Sequence, residues 1–230
     1  MKILTIDTSS NCSSVALSDG ATLLGECILG EGRCNSGRLM DSVSELLKAA
    51  RLAPEGVDAF AVSLGPGSFT GVRVGIATVK GLAIATGKPA VGFSSLAMLA
   101  MNLPYCSAQV APMFDARKAE VYAALYRLGS LPEAVFADAV LPPQDFLSRI
   151  TQPTVFIGDG AVRYRDLIAE TVGELAIFPP WHANLPRASA GAVLAREAAR
   201  AGKFTPLAQL NPVYLRASEA EIAKRKRESL

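Results

Sequence analysis

The stretch Gly65-Pro66-Gly67-Ser68-Phe69-Thr70-Gly71-Val72-Arg73-Val74-Gly75 comes closest, by residue type and spacing, to phosphate chemistry. Glycine-rich loops that open a helix hold phosphates with free backbone N–H groups. A Walker loop, however, places Lys-Ser or Lys-Thr after its last glycine, and here Gly71 is followed by Val72 and Arg73. The dinucleotide fingerprint also fits poorly. Gly65, Gly67 and Gly71 are spaced Gly-x-Gly-x-x-x-Gly, and no acidic residue ends a strand about 20 residues on. What remains is a strand over residues 60–64, a tight turn, and a helix that Ser68 can cap. On that helix Phe69, Val72, Ile76, Val79 and Ala83 form an apolar stripe, and Gly71, Gly75 and Thr78 form a second, nearly flat face. Each glycine costs a helix interior up to about 1 kcal/mol against alanine, so two of them one turn apart imply a close backbone neighbour. That neighbour is either a second protein or another part of this chain.

Other chemistries find little support. Cys12, Cys27, Cys34 and Cys106 have no paired metal spacing, and His182 is the only histidine, so no metal site is expected. A nucleophile triad would have to use His182, which sits in the loop Pro179-Pro180-Trp181-His182-Ala183-Asn184 and reads as an exposed loop residue. The net charge of +2 gives no global field for nucleic acid, and the one dense basic run, Lys224-Arg225-Lys226-Arg227, reads as a solvated tail. The chain has 230 residues, half of them hydrophobic, which is enough for one large or two small domains. No run reaches about 18 uninterrupted apolar residues, and the start reads as a strand rather than a signal peptide, so a cytoplasmic location without membrane contact is expected.

The elements that must position these residues alternate. Strands over residues 2–7, 14–18 and 21–29 form an antiparallel meander with a hairpin turn at Asp19-Gly20. A helix over 36–51, capped by Asn35 or Ser36, turns Leu39, Val43, Leu46, Leu47 and Ala50 to the core, with Met40 and Val43 flanking that stripe toward a partner. A strand near Val91 follows the glycine-bearing helix, and Ser94 caps a helix through Met101. The second half repeats the opening: Gln109 to Asp115 is again a strand closing on an aspartate, and Glu120 to Tyr126 again a strand after a short turn. This echo of the segment Ile3 to Leu17 predicts an internal duplication, with lobes at 1–103 and 104–230, the second ending in an extended tail. Further helices are expected from Pro143 to Ile150, after Gly158-Asp159-Gly160, and from a cap at Ser189 to Ala201. The fold class is α/β, each lobe a mixed sheet with packed helices.

Three stretches together resemble the bacterial TsaB (YeaZ) family: Ile3-Leu4-Thr5-Ile6-Asp7-Thr8-Ser9, the run from Leu64 to Gly75, and Asp115-Ala116-Arg117-Lys118-Ala119-Glu120-Val121-Tyr122. The tail Asn211-Pro212-Val213-Tyr214-Leu215-Arg216 fits as well. The resemblance implies two duplicated lobes of the actin, sugar-kinase and heat-shock ATPase type around a cleft. It also implies a role in making threonylcarbamoyladenosine on tRNAs that read codons beginning with adenosine. In that family the protein resembles a non-catalytic paralogue of the TsaD transferase, working with TsaD and the small ATPase TsaE and pairing with itself when alone, with tRNA met only through the complex. TsaD-like proteins carry a metal-binding His-x-x-x-His pair; the corresponding Asn35-Ser36-Gly37-Arg38-Leu39-Met40 has no histidine.

Two sets of site residues follow. A partner-binding face is expected at Ser36, Met40, Val43, Gly71, Gly75 and Thr78, and a cleft able to take ATP weakly at Asp7, Thr8, Ser9, Asp115, Gly158 and Gly160. No catalytic residue is assigned. The rival function is an ATP-dependent small-molecule kinase or ATPase on the same fold, with Asp7 holding magnesium through water and Asp115 as base. Against it stands a structural reading of both aspartates as strand-end residues that cap turns.

Overall fold

A computed structural model describes residues 1–30 and 36–216, without the side chains of Ser36 and Gly37. The expected Asn35 cap, Cys34 and the charged C-terminal segment lie outside the described residues.

The first half runs β1 (Lys2–Asp7), β2 (Ser13–Asp19), β3 (Thr22–Leu29), α1 (Ser36–Ala49), β4 (Ala59–Ser63), α2 (Phe69–Thr86), β5 (Ala90–Phe93) and α3 (Ser95–Ala100). The second runs β6 (Gln109–Arg117), β7 (Glu120–Leu128), β8 (Pro132–Leu141), α4 (Pro143–Leu147), β9 (Thr154–Ile157), α5 (Asp159–Arg163), α6 (Arg165–Val172), β10 (Ala176–Ile177) and α7 (Ala188–Arg200). The sheets have the orders β3-β2-β1-β4-β5 and β8-β7-β6-β9-β10. In each, the first strand of its half is antiparallel to the second and parallel to the fourth. The same topology twice is what the echo between Asp7 and Asp115 foretold.

Apolar residues sit on both faces of each sheet, so each needs covering twice. On one face of the first sheet, Leu4, Ile6, Phe60 and Val62 pack with Leu39, Val43 and Leu47 of α1 and Val72, Ile76 and Val79 of α2. On the outer face of the second, Met113, Val121, Leu125 and Phe156 pack with Phe146, Ala161 and Ile168. The core between the sheets joins Ile3, Ala61, Val110 and Phe114 to Leu96, Leu99, Ala195 and Ala199. Helix α3 lies on β6 and β7, and α7 on β1, β2 and β5. The last helix of each half therefore crosses to the other half's sheet.

Helix α7 and the tail, which follow the expected division at residue 104, pack on the first lobe. Thr205 bridges Ala90, and the Val213 N–H donates to the Leu64 carbonyl. The α7 cap is not Ser189. The helix begins at Ala188, whose N–H donates to Ser14 Oγ at 2.9 Å, while the Ser189 N–H donates to Glu26 Oε1 at 2.9 Å. A hairpin of the first lobe supplies the cap, and Arg187 clamps the same Glu26 carboxylate at 2.7 Å. Helix α2 has the length and mean hydropathy, 1.2, of a membrane span. One of its faces is nevertheless held in the core of the first lobe.

Candidate functional site

Ser68 caps α2 as expected, accepting from the Gly71 N–H at 3.2 Å. Val72, Ile76, Val79 and Ala83 are buried as the stripe predicts, but Phe69 is not. It remains 42% exposed, stacked on Tyr214 with ring centroids 5.2 Å apart. The flat face holds the larger correction. A Cβ on Gly71 would overlap the Thr8 carbonyl oxygen, and one on Gly75 would overlap Thr8 Oγ1 and stand 3.3 Å from Val62 Cγ2. Thr8 Oγ1 donates to the Gly71 carbonyl at 2.7 Å, and the Ser68 N–H donates to the Ser9 carbonyl at 2.6 Å. The close neighbour that these glycines demand is thus the β1–β2 turn of the same chain. Val43 is likewise in the core, Gly75 is buried and Gly71 is half-buried.

What α2 turns outward is Arg73, Ala77, Gly81, Ile84 and Ala85, all exposed, with Ile84 at 71%. Thr78 is half-buried, its hydroxyl donating to the Val74 carbonyl at 2.9 Å, and Met40 of α1 is exposed on the same side of the sheet. Gly81 has open space around it. Unlike Gly71 and Gly75, it has no packing reason inside the chain. The signal was in the sequence as a third glycine in one helix.

Between the lobes lies a cleft of about 350 Å³ lined by Ser9, Ser10, Asn11, Ser68, Phe69 and Thr70 from the first half and Asp115, Arg117, Tyr122 and Asp159 from the second. Ser9 and Asp115 are where the sequence placed them. Asp7 is fully buried beneath this surface. Its Oδ1 accepts from Ser63 Oγ and, at 3.2 Å, from the Ser9 N–H, which is the strand-end cap weighed against a magnesium role. Burial pushes its carboxyl above the usual range, opposed by the hydrogen bonds from the Ser63 hydroxyl and the Ser9 backbone. Asp115 is pinned by Arg163 at 2.7 Å and Arg117 at 3.3 Å, and accepts from the Arg117 N–H at 2.9 Å. Gly158 and Gly160 do not line the cleft. A Cβ on either would press into the Met113 and Phe114 backbone of β6, the same fit that Gly71 makes with Thr8 in the first half.

Asp159, which the sequence reading left between the two glycines without a role, lines the cleft and accepts from the Asp115 N–H at 3.2 Å. Burial raises its carboxyl most, with backbone donors from Asp115 and Gly160 lowering it. His182 is exposed, and among the described residues no three His, Cys, Asp or Glu side chains converge on a metal position. The tip of the β6–β7 hairpin holds Arg117, Lys118 and Ala119 at φ of 61°, 53° and 59°, a left-handed run unusual without glycine. It projects Arg117 into the cleft mouth.

The chain matches the family model for TsaD, the tRNA N6-adenosine threonylcarbamoyltransferase, over residues 32–224. It is 33% identical over 225 residues to the tRNA threonylcarbamoyladenosine biosynthesis protein TsaB of Bacillus subtilis, covering 96% of each chain. It superimposes on YeaZ from Pseudomonas aeruginosa with a TM-score of 0.79 at 34% identity, covering 93% of this chain and 99% of that one. A more distant likeness, to component A of the (R)-2-hydroxyglutaryl-CoA dehydratase of Acidaminococcus fermentans (TM-score 0.51, 13% identity, covering 87% of this chain and 99% of that one), shows the shared fold alone. With the duplicated sheets, the glycine-bearing helix seated on the first turn and these matches over nearly the whole length, the chain belongs to the TsaB (YeaZ) family.

Proposed function

We propose that the chain is a non-catalytic subunit for threonylcarbamoylation of tRNA, acting by binding a TsaD-like transferase and a TsaE-like ATPase in the cytoplasm. The observation that carries this reading is Asp7. The carboxylate that a kinase of this fold would use toward magnesium is wholly buried, its Oδ1 accepting from Ser63 and Ser9 while Oδ2 has no partner among the described residues, and the second, Asp115, is paired with two arginines. Asp7 does not reach the cleft, and Asp115, which does, is already engaged by Arg117 and Arg163. The outward face of α2, with Met40 of α1, offers a partner an apolar, small-residue surface that admits close helix approach. A second copy of the chain would meet the same face in the partner's absence. ATP, if offered, binds weakly, since the amides at the start of α2 are partly consumed by Ser9 and Ser68 and no lysine follows the glycines.

Reconstitution tests the proposal. Modification of a tRNA transcript should require this chain together with its cognate transferase and ATPase, and the isolated chain should show neither transfer, proteolysis nor ATP turnover. Turnover by the isolated chain that Asp115→Asn abolishes would revive the kinase reading.

A further inference from the structure

Basic side chains gather at the mouth of the inter-lobe cleft although the chain as a whole carries a net charge of only +2. Arg117 and Arg163 stand there with 70% and 53% of their side chains exposed, sharing the single carboxylate of Asp115. Arg216 donates to the Ala116 carbonyl at 3.1 Å and pairs with Glu120. Arg73 caps the aromatic stack at the same rim. Its guanidinium lies 3.7 Å from the Phe69 ring centroid, and its Nε donates to the Tyr214 hydroxyl at 2.6 Å. Phe69 and Tyr214 are each 42% exposed. The remaining carboxylate of the cleft, Asp159, is held toward its neutral form by burial. The sequence following Arg216 carries the chain's densest basic run, Lys224 to Arg227.

Guanidinium groups beside exposed aromatic rings are the combination that holds single-stranded nucleic acid, the cations taking phosphates and the rings taking bases. We infer that this rim, formed by Phe69, Arg73, Arg117, Arg163, Tyr214 and Arg216, contacts tRNA directly through a single-stranded loop. The inference rests on the proposed role in tRNA modification and adds a contact that this role does not require. Arg73 also belongs to the outward face of α2, so the two proposed surfaces adjoin there, whereas Arg117 and Arg163 lie on the second half.

The test is equilibrium binding of an unmodified tRNA transcript to the full chain at several salt concentrations, alongside sedimentation with the cognate transferase. Binding should weaken steeply with salt, with a log–log slope of about 0.7 for each phosphate contacted. Arg117→Gln combined with Arg163→Gln should lower affinity about tenfold or more and reduce the slope by about 1.4, from two lost contacts. Phe69→Ala should lower affinity about tenfold at an unchanged slope, because stacking is uncharged. Arg127→Glu, an exposed residue at the far end of β7, changes the net charge as much as the double variant and should bind like wild type. Arg127→Glu should melt as wild type does, the double variant and Phe69→Ala should be fully folded at the assay temperature, and the double variant should join the transferase at wild-type strength. The inference is overturned if the transcript does not bind, if Arg127→Glu costs as much as the cleft variants, if Phe69→Ala changes nothing, or if duplex DNA of equal length binds as tightly. Those outcomes would leave the partner-subunit reading standing. Failure of wild type to join the transferase would overturn that reading instead.

Discussion

Asp7 shows how burial decides what a carboxylate can do. Because burial favours its protonated form, the folded chain holds a proton that the unfolded chain releases near pH 4. Stability attributable to this group therefore falls as pH rises above that point toward the raised folded value, by up to about 1.4 kcal/mol per pH unit. Asp7→Asn cannot ionise, so its stability relative to wild type should grow as pH rises above about 4 in urea titrations; a flat or shrinking difference would show that the buried acid is not strained. Asp159 shifts in the same direction in both proteins and cancels in the comparison. The glycines separate just as sharply. Gly71→Ala should destabilise by about 1 to 3 kcal/mol through overlap with Thr8, while Gly81→Ala, in open space, should stabilise by up to about 1 kcal/mol. Thermal melts of the two variants would decide it. The sequence made legible that Gly71 and Gly75 need a close neighbour and that Asp7 ends a strand. It could not say that Thr8 is that neighbour, because the contact joins residues 63 positions apart.

Strands and helices were readable where one periodicity dominates, as in β1, α1 and α2, and where a cap is local, as at Ser68 and Ser94. Helix α7 was readable as a helix but not in its anchoring. Its alanine-rich face, with Gly191 so close to the Phe93 ring that a Cβ would stand 2.6 Å from it, lets it press onto the first sheet, and its cap comes from β2 and β3. A side chain more than 160 positions away leaves no local trace. Glu26→Ala should therefore behave as the loss of a helix cap, costing about 1 to 2 kcal/mol in chemical denaturation. It should also loosen α7 first, seen as faster amide exchange at Ala188 and Ser189. Uniform exchange with an unchanged midpoint would mean that Ser14 alone suffices.

The repeated topology was visible only as two strands that each end in aspartate, yet that echo was enough to place a cleft between related halves. The exchange of α3 and α7 between the halves was not visible, since it depends on which sheet face each apolar stripe finds first. Such an exchange makes each half depend on the other for its inner core, so the chain should unfold as one unit with coincident transitions by fluorescence and circular dichroism. The central claim, that the molecule works by presenting the outward face of α2 to a transferase, is tested most directly by sedimentation velocity of the chain mixed with its cognate TsaD-like protein, comparing wild type with Gly81→Leu. A Cβ at this exposed position meets nothing within 4 Å and leucine improves helix propensity, so the variant should melt at or above the wild-type temperature. Overpacking a close helix contact costs about 1 to 3 kcal/mol, so the variant should bind the partner about ten- to a hundredfold more weakly. A Gly81→Leu chain that is fully folded and still co-sediments at wild-type strength would contradict the claim.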